Sequence, residues 1–329
     1  TGLLIREYMV SGHIDFVAFF ARRLRRLLPA LVVMLTLVSL LATVLRSDQE
    51  FSEQTASVGY AATWTSNLYF AFTTFDYFSE LHDQDLFLHT WSLGVEEQFY
   101  IAWPALGIVV LMLTKRRRVR SQRYLGLSWL LIVLCAGSFG LSLYWSYNSS
   151  LLAFYLMPAR VWQFALGAGL YVWFELQGHD SRSGSQRIPS RYARVTGVVG
   201  LLLILASAIL LRPGGIYPGF WSLFPSMGAA LIIAAGVVEQ QRGIGWLLAR
   251  PTAVWVGNRS YSWYLWHWPL LMLGFAWGLK GNPTAIAALI SLAMMIAALS
   301  YRFVELPFWK GRFSLSPPLQ TVGIASLGI

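Results

Sequence analysis

The apolar residues of this chain fall into long runs separated by short polar stretches. Runs near 27–45, 99–114, 125–147, 158–175, 195–211, 222–238, 260–279 and 284–303 each approach the roughly 20 residues that carry an α-helix across a bilayer. Shorter apolar stretches at Gly2–Ile5 and 319–329 read as the end of an earlier helix and the start of a later one, so the pattern predicts a longer parent polypeptide. The expected fold class is all-α, a polytopic transmembrane helix bundle of about eight complete helices with partial helices at both ends. The expected organisation is one transmembrane domain over 1–312, followed by a linker and the start of another helix over 313–329. No internal repeat is evident. Only 177–194, rich in Ser, Arg and Gly, reads as a soluble flexible loop.

A ninth run, 57–73, is interrupted by Thr63, Thr65, Ser66 and Asn67, which are costly in hydrocarbon, and its flanks are acidic. Charge decides how to read it. If 57–73 does not cross, one side of the membrane holds Arg6, the Arg22–Arg26 cluster, the Lys115–Arg123 run, Arg182, Arg187, Arg191, Arg194, Arg242, Arg250, Arg259, Arg302, Lys310 and Arg312. The other side holds Arg46, Arg160, Arg212 and Lys280. That is 21 against 4 of the 25 basic residues. The positive-inside rule then makes the first side cytoplasmic. Residues 47–98 become an extracytoplasmic segment, lying in the interface or re-entering the bilayer. If 57–73 crossed, the asymmetry would collapse.

Composition sharpens this picture. The 329 residues are 56% hydrophobic and only 12% charged, against about 25% charged in a soluble domain. A net charge of +10 does not point to nucleic acid, because the cations sit at the ends of apolar runs rather than along one soluble face. The lone Cys135 excludes an intrachain disulfide. No Cys or His set has metal-ligand spacing, and there is no glycine-rich phosphate loop.

Four stretches carry candidate chemistry. Phe20–Pro29 contains Arg22, Arg23, Arg25 and Arg26 at the start of an apolar run. Arg23 and Arg26 share a helix face, and two guanidinium forks on one face suit a pyrophosphate or phosphomonoester. A topology anchor or anionic-lipid contact is the plainer reading. His89–Tyr100 (HTWSLGVEEQFY) sets His89, Ser92, Glu96 and Glu97 at the mouth of a helix. Histidine beside carboxylates can do acid–base work; equally, Ser92 can be an N-cap with acids in the first turn. Ser260–Pro269 places Tyr261 and His267 inside an aromatic membrane helix, where a histidine is either functional or hydrogen-bonded packing. Tyr301–Pro307 holds Arg302 and Glu305 at i, i+3, the spacing of a helical ion pair or of a charged pair facing a cavity.

In this order the four blocks resemble the acyltransferase-3 family of integral membrane acyltransferases, within it the enzymes that O-acetylate surface polysaccharide, lipopolysaccharide O-antigen or peptidoglycan. The resemblance covers nearly the whole chain. It implies a ten-helix core, in which this chain supplies the tail of helix two onward, and in some members an extra helix leading to an extracytoplasmic SGNH-type hydrolase-like domain. It implies an acyl-CoA donor, acetyl-CoA by default, with no metal, and a glycan hydroxyl acceptor. Arg23 and Arg26 occupy the family's paired-arginine positions. The family's catalytic His lies on the first helix, upstream of Thr1, so the catalytic base is not expected among these residues. The expected mechanism holds the coenzyme A phosphates on Arg23 and Arg26, with Arg22, Arg302 and Glu305 shaping the donor site. His89, Glu96 and Glu97 are the catalytic candidates among these residues, or shape or gate the acceptor side, and Ser92, Tyr261 and His267 are candidates for structure or substrate contact. The expected location is the bacterial inner membrane, with partners limited to bilayer, acyl-CoA and glycan acceptor. The competing classes are a transporter or flippase for a lipid-linked sugar, and a membrane scaffold without chemistry.

Overall fold

The computed structural model describes residues 2–45, 48–73, 85–113, 120–177, 190–211, 216–239 and 242–311, and among them every regular element is helical. The helices are α1 (Gly2–Ser11), α2 (Phe16–Leu45), α3 (Asp48–Ala62), α4 (Ser66–Phe72), α5 (Trp91–Leu113), α6 (Arg120–Asn148) and α7 (Ser150–Tyr155). They continue with α8 (Val161–Leu176), α9 (Ser190–Leu210), α10 (Leu223–Val238), α11 (Gly243–Leu248), α12 (Pro251–Gly274), α13 (Pro283–Ser300) and α14 (Leu306–Trp309).

Among the described residues, six stretches are long and apolar enough to cross a membrane: Phe16–Leu45, Leu88–Leu113, Tyr124–Asn148, Arg191–Leu210, Phe220–Val238 and Pro283–Trp309. This is an integral membrane protein with an all-α polytopic bundle. Two further apolar runs are helical without meeting that measure. Run 158–175 becomes the 16-residue α8, about 24 Å long at 1.5 Å per residue. Run 260–279 is the rear of α12, which starts earlier, at Pro251, and is diluted by Asn258, Arg259 and His267. The run at 57–73 breaks, as its polar residues predict. The chain turns at Thr63–Thr65, where Trp64 takes φ +54°, and separates the 15-residue α3 from the 7-residue α4. Neither helix is long enough to span. The side chains of the Lys115–Arg123 run, most of loop 177–194, and residues 313–329 lie outside the described residues.

Two compact units make up the chain. One comprises His13–Gly94 and Trp255–Ile329; the other comprises Thr1–Gly12 and Val95–Val254. In the first, Ala30, Leu31, Met34, Leu35, Val38 and Ala42 form one buried stripe of α2. The i, i+4 spacing puts them on a single helix face. They share a core with Leu265, Trp266, Met272 and Leu273 of α12 and Ala297 of α13. Asn282 starts α13 by accepting the Thr284 and Ala285 backbone N–H groups, each at 3.1 Å, and Pro283 follows at the first helical position.

In the second unit, α9 and α10 meet backbone to backbone. A Cβ on Gly200 would stand 2.7 Å from the Gly228 carbonyl, and one on Gly228 would stand 2.8 Å from the Gly200 carbonyl. Small residues permit this approach between membrane helices. Ser138 links α6 to α8 by donating to the Pro158 carbonyl (2.6 Å) and accepting from the Trp162 N–H (3.0 Å). Glu175 of α8 lies 3.6 Å from Arg6 of α1 and accepts from Tyr124 of α6 at 3.3 Å.

Candidate functional site

Residues from all four sequence blocks converge in the unit formed by His13–Gly94 and Trp255–Ile329. The organiser is α12, which carries two polar clusters one after the other.

The first cluster surrounds Glu305. Residues Tyr301–Glu305 continue α13 as a π-turn, with i→i+5 bonding. The wider turn rotates Glu305 inward, and its side chain is completely buried. One carboxylate oxygen accepts from Ser262 Oγ at 2.9 Å; Ser262 is itself fully buried. The other oxygen lies 3.9 Å from Arg26 Nε and makes no hydrogen bond of its own. Arg26 stays half exposed and lays its guanidinium over the Trp309 ring at 5.4 Å. Tyr261 OH donates to the Leu27 carbonyl at 2.9 Å, fixing α12 to the turn that bears the arginines. Pro29 sits inside α2 one turn further on and takes away the N–H that would bond the Arg25 carbonyl.

The i, i+3 pair of Arg302 with Glu305 does not form. The π-turn breaks the 3.6-residue periodicity on which that spacing depends, so Glu305 turns in toward Arg26. Arg302 remains exposed, with its guanidinium 5.6 Å from the Phe303 ring centre. Along the arginine segment, Arg22 and Arg26 are exposed while Arg23 and Arg25 are partly buried. Four cations therefore lie on one turn and a half of helix.

The second cluster surrounds His89. Residues Leu88–Thr90 form a 3-10 turn that runs directly into α5. Ser92 is consequently inside the helix rather than at its N-cap, and its hydroxyl lies 2.8 Å from Tyr264 OH. Tyr264 OH also donates to the His89 carbonyl. The His89 ring is buried and neither ring nitrogen makes a hydrogen bond of good geometry. It stands edge-on to His267, centroids 5.7 Å apart, and packs against Tyr264 and Trp268. His267 Nδ1 is 2.7 Å from the Tyr264 carbonyl, and Trp268 Nε1 donates to the Asp85 carbonyl at 2.9 Å.

The broken segment at 63–67 supports this cluster from behind. Ser66 and Thr90 hydroxyls are 2.8 Å apart, both fully buried. A Cβ on Gly94 would meet Asn67 Oδ1 at 2.5 Å and the Trp64 carbonyl at 2.6 Å, so only glycine fits there. Asn67 and Ser66, at the end of this break, are completely buried, so protein encloses the irregular backbone. Glu97 is buried and Glu96 partly so. The two fall in the second turn of α5, not in its first.

Sequence reasoning singled out Arg26, Glu305, Tyr261, His89, Ser92 and His267, and the fold groups the first three in one cluster and the last three in the other. It missed Ser262, Tyr264 and Trp268, although all three lie within the same block and the last two are at i+3 and i+7 from Tyr261. It also missed Ser66, Thr90 and Trp309. His267 is five positions after Ser262, about 7.5 Å along the helix axis.

Comparison with known proteins gives the family. The acyltransferase domain family (Acyl_transf_3) matches residues 3–302. A provisionally named O-acetyltransferase of Staphylococcus aureus strain COL is 31% identical over 318 residues, covering 94% of this chain and 50% of that protein. A provisionally named peptidoglycan O-acetyltransferase of Bacillus subtilis, YrhL, is 29% identical, covering 93% of this chain and 48% of its own length. The O-acetyltransferase OatA of Staphylococcus aureus is 26% identical, with 95% and 51% covered. The chain thus spans about half the length of the curated relatives it matches. No solved structure matches it significantly.

Proposed function

We propose, for a chain that belongs to the acyltransferase domain family, that it forms the membrane-embedded part of an O-acyltransferase. The reaction moves an acyl group, acetyl by default, from acyl-CoA at the cytoplasmic face to a hydroxyl of an extracytoplasmic surface glycan. The observation that carries this reading is the double cluster along α12, which bonds through Tyr261 to the arginine turn of α2 and through Ser262 to Glu305, and further on sets His267 against His89. The named activities of the relatives support the transfer, and the B. subtilis protein's name supports peptidoglycan as the first acceptor to try.

The donor end is the Arg22–Arg26 turn. Coenzyme A brings a 3′-phosphate and a pyrophosphate, and guanidinium forks match both in charge and geometry. Arg23 and Arg26 make the principal contacts. Glu305, held by Ser262, restrains Arg26 from behind and keeps its planar group against Trp309. The thioester then reaches along α12 toward the His89–His267 cluster. The acceptor oxygen bonds to the acyl carbon, the hydroxyl proton passes to a base, and the carbon–sulfur bond breaks to release the coenzyme A thiolate. Holding donor and acceptor in one frame accounts for much of the acceleration. Glu96 and Glu97 shape the acceptor entrance.

The test is release of free coenzyme A from acetyl-CoA by the full-length protein in membranes, with and without de-O-acetylated peptidoglycan fragments. Acceptor-dependent release supports the transferase. Movement of a lipid-linked sugar with no thioester consumption would replace it with the transporter.

A further inference from the structure

Three hydrogen bonds at Tyr264 have directions that can be assigned. A carbonyl oxygen cannot donate, so the His267 Nδ1 contact at 2.7 Å is an N–H donated to the Tyr264 carbonyl. The Tyr264 hydroxyl has one proton and gives it to the His89 carbonyl. Its contact with Ser92 at 2.8 Å is therefore a hydrogen bond donated by Ser92 Oγ. These assignments leave a single outcome for a neutral His267: the proton is on Nδ1, and Nε2 carries the lone pair. His267 is only partly buried, unlike His89 beside it. Its Nε2 is an acceptor with a fixed tautomer, on the helix that also carries Ser262.

We infer that His267 Nε2 accepts a hydrogen bond from a glycan hydroxyl beside the one that is acylated, and so orients the acceptor toward the acyl carbon. This rests on the acyltransferase reading above and names a contact for the acceptor half of that site. The fixed tautomer matters because the Nδ1–H form leaves an acceptor at Nε2, whereas the opposite tautomer would put a donor there. Tyr264 is the positioning residue: its carbonyl sets the tautomer and its hydroxyl ties the His89 turn to the same helix. The groups facing His267 are the His89 imidazole, the Tyr264 ring and the adjacent Trp268; the described contacts place no carboxylate against it.

Two amides separate this role from a purely structural one. Asparagine puts its NH2 where Nδ1 is and keeps the bond to the Tyr264 carbonyl, but has nothing at the Nε2 position. Glutamine reaches the Nε2 position with a carbonyl oxygen and abandons the Tyr264 bond. Full-length protein in membranes is given radiolabelled acetyl-CoA and de-O-acetylated peptidoglycan fragments, and KM is measured for each. His267→Asn is expected to raise the acceptor KM by roughly tenfold, the scale of one lost hydrogen bond, with the acetyl-CoA KM unchanged. His267→Gln is expected to stay within about threefold of wild type. The reverse order, with Asn active and Gln impaired, would overturn the inference and leave His267 a structural residue. Should neither variant fold, carbethoxylation of His267 in the wild-type protein decides: the glycan fragments slow it if the inference holds, and an unchanged rate sinks it. Wild-type protein that transfers no label at all refutes the acyltransferase reading instead.

Discussion

Changing Arg26 and Glu305 separately and together tests whether a buried acid holds the arginine turn. Arg26 Nε lies 3.9 Å from a carboxylate that is completely buried. Coulomb's law at that separation gives about 1 kcal/mol in water and about 4 kcal/mol at the effective dielectric of 20 that suits sites near a protein surface. Arg26 is 49% exposed, so solvent screening pulls the pair toward the lower figure, about 1–2 kcal/mol. Arg26→Gln leaves the buried carboxylate with Ser262 as its remaining hydrogen-bond partner, and it should cost at least that much. In a Glu305→Gln background the same change removes no ion pair and should cost little. The coupling energy of the Arg26→Gln/Glu305→Gln cycle is therefore expected at about 1–2 kcal/mol, measured by SDS-titrated unfolding of the purified protein in mixed micelles. A coupling below about 0.5 kcal/mol, the scatter of independent sites, would refute the pairing. It would return Glu305 to a role in packing α13 against α12 through Ser262.

Other outcomes follow from the same geometry. Ser262→Ala removes a 2.9 Å hydrogen bond to a buried carboxylate and should destabilise by about 1.5–3 kcal/mol in the same unfolding assay. Gly94→Ala drives a Cβ into Asn67 Oδ1 and the Trp64 carbonyl, and should abolish acyl transfer or reduce folded yield on size-exclusion chromatography. Gly228→Ala presses on the Gly200 backbone and should destabilise by about 1–3 kcal/mol, while Gly236→Ala, whose Cβ meets nothing within 4 Å, should be close to neutral. Charge reversal at Arg23 and Arg26 should eliminate acetyl-CoA binding in equilibrium dialysis; normal affinity in that double variant would remove the donor turn from the account.

The spans were legible because lipid imposes a simple rule: about 20 apolar residues make a crossing, and polar residues at mid-depth do not. That rule placed α2, α5, α6, α9, α10 and α13, whereas at 57–73 the polar residues and the distribution of basic residues were needed to read a segment that does not cross. It said little about where helices end, since α2 runs eleven residues ahead of its apolar run, through the arginines, and α12 nine residues ahead through Asn258 and Arg259. Hydropathy measures contact with hydrocarbon, whereas the helix continues wherever its backbone bonds do. The four blocks were legible one at a time, but their meeting was not, because contacts such as Tyr261 with Leu27 join residues far apart in the chain. Arg302 and Glu305 show why local spacing misled. The i, i+3 rule assumes an α-helix, and the π-turn at Tyr301–Glu305 sends the two charges in different directions. Ser92 misled in the same manner, since the 3-10 turn at Leu88–Thr90 starts the helical path before it.

The central claim is transfer of an acyl group across the bilayer. Inverted vesicles carrying the full-length protein expose the proposed cytoplasmic face, with Arg22–Arg26, to the medium and enclose peptidoglycan fragments inside. Radiolabelled acetyl-CoA, which does not permeate, is added outside, and the enclosed glycan is recovered and counted. The account predicts alkali-labile label on the enclosed glycan, lost in the Arg23/Arg26 charge-reversal variant. Label that appears only when acetyl-CoA and glycan share one side, or never appears with folded protein, would contradict it.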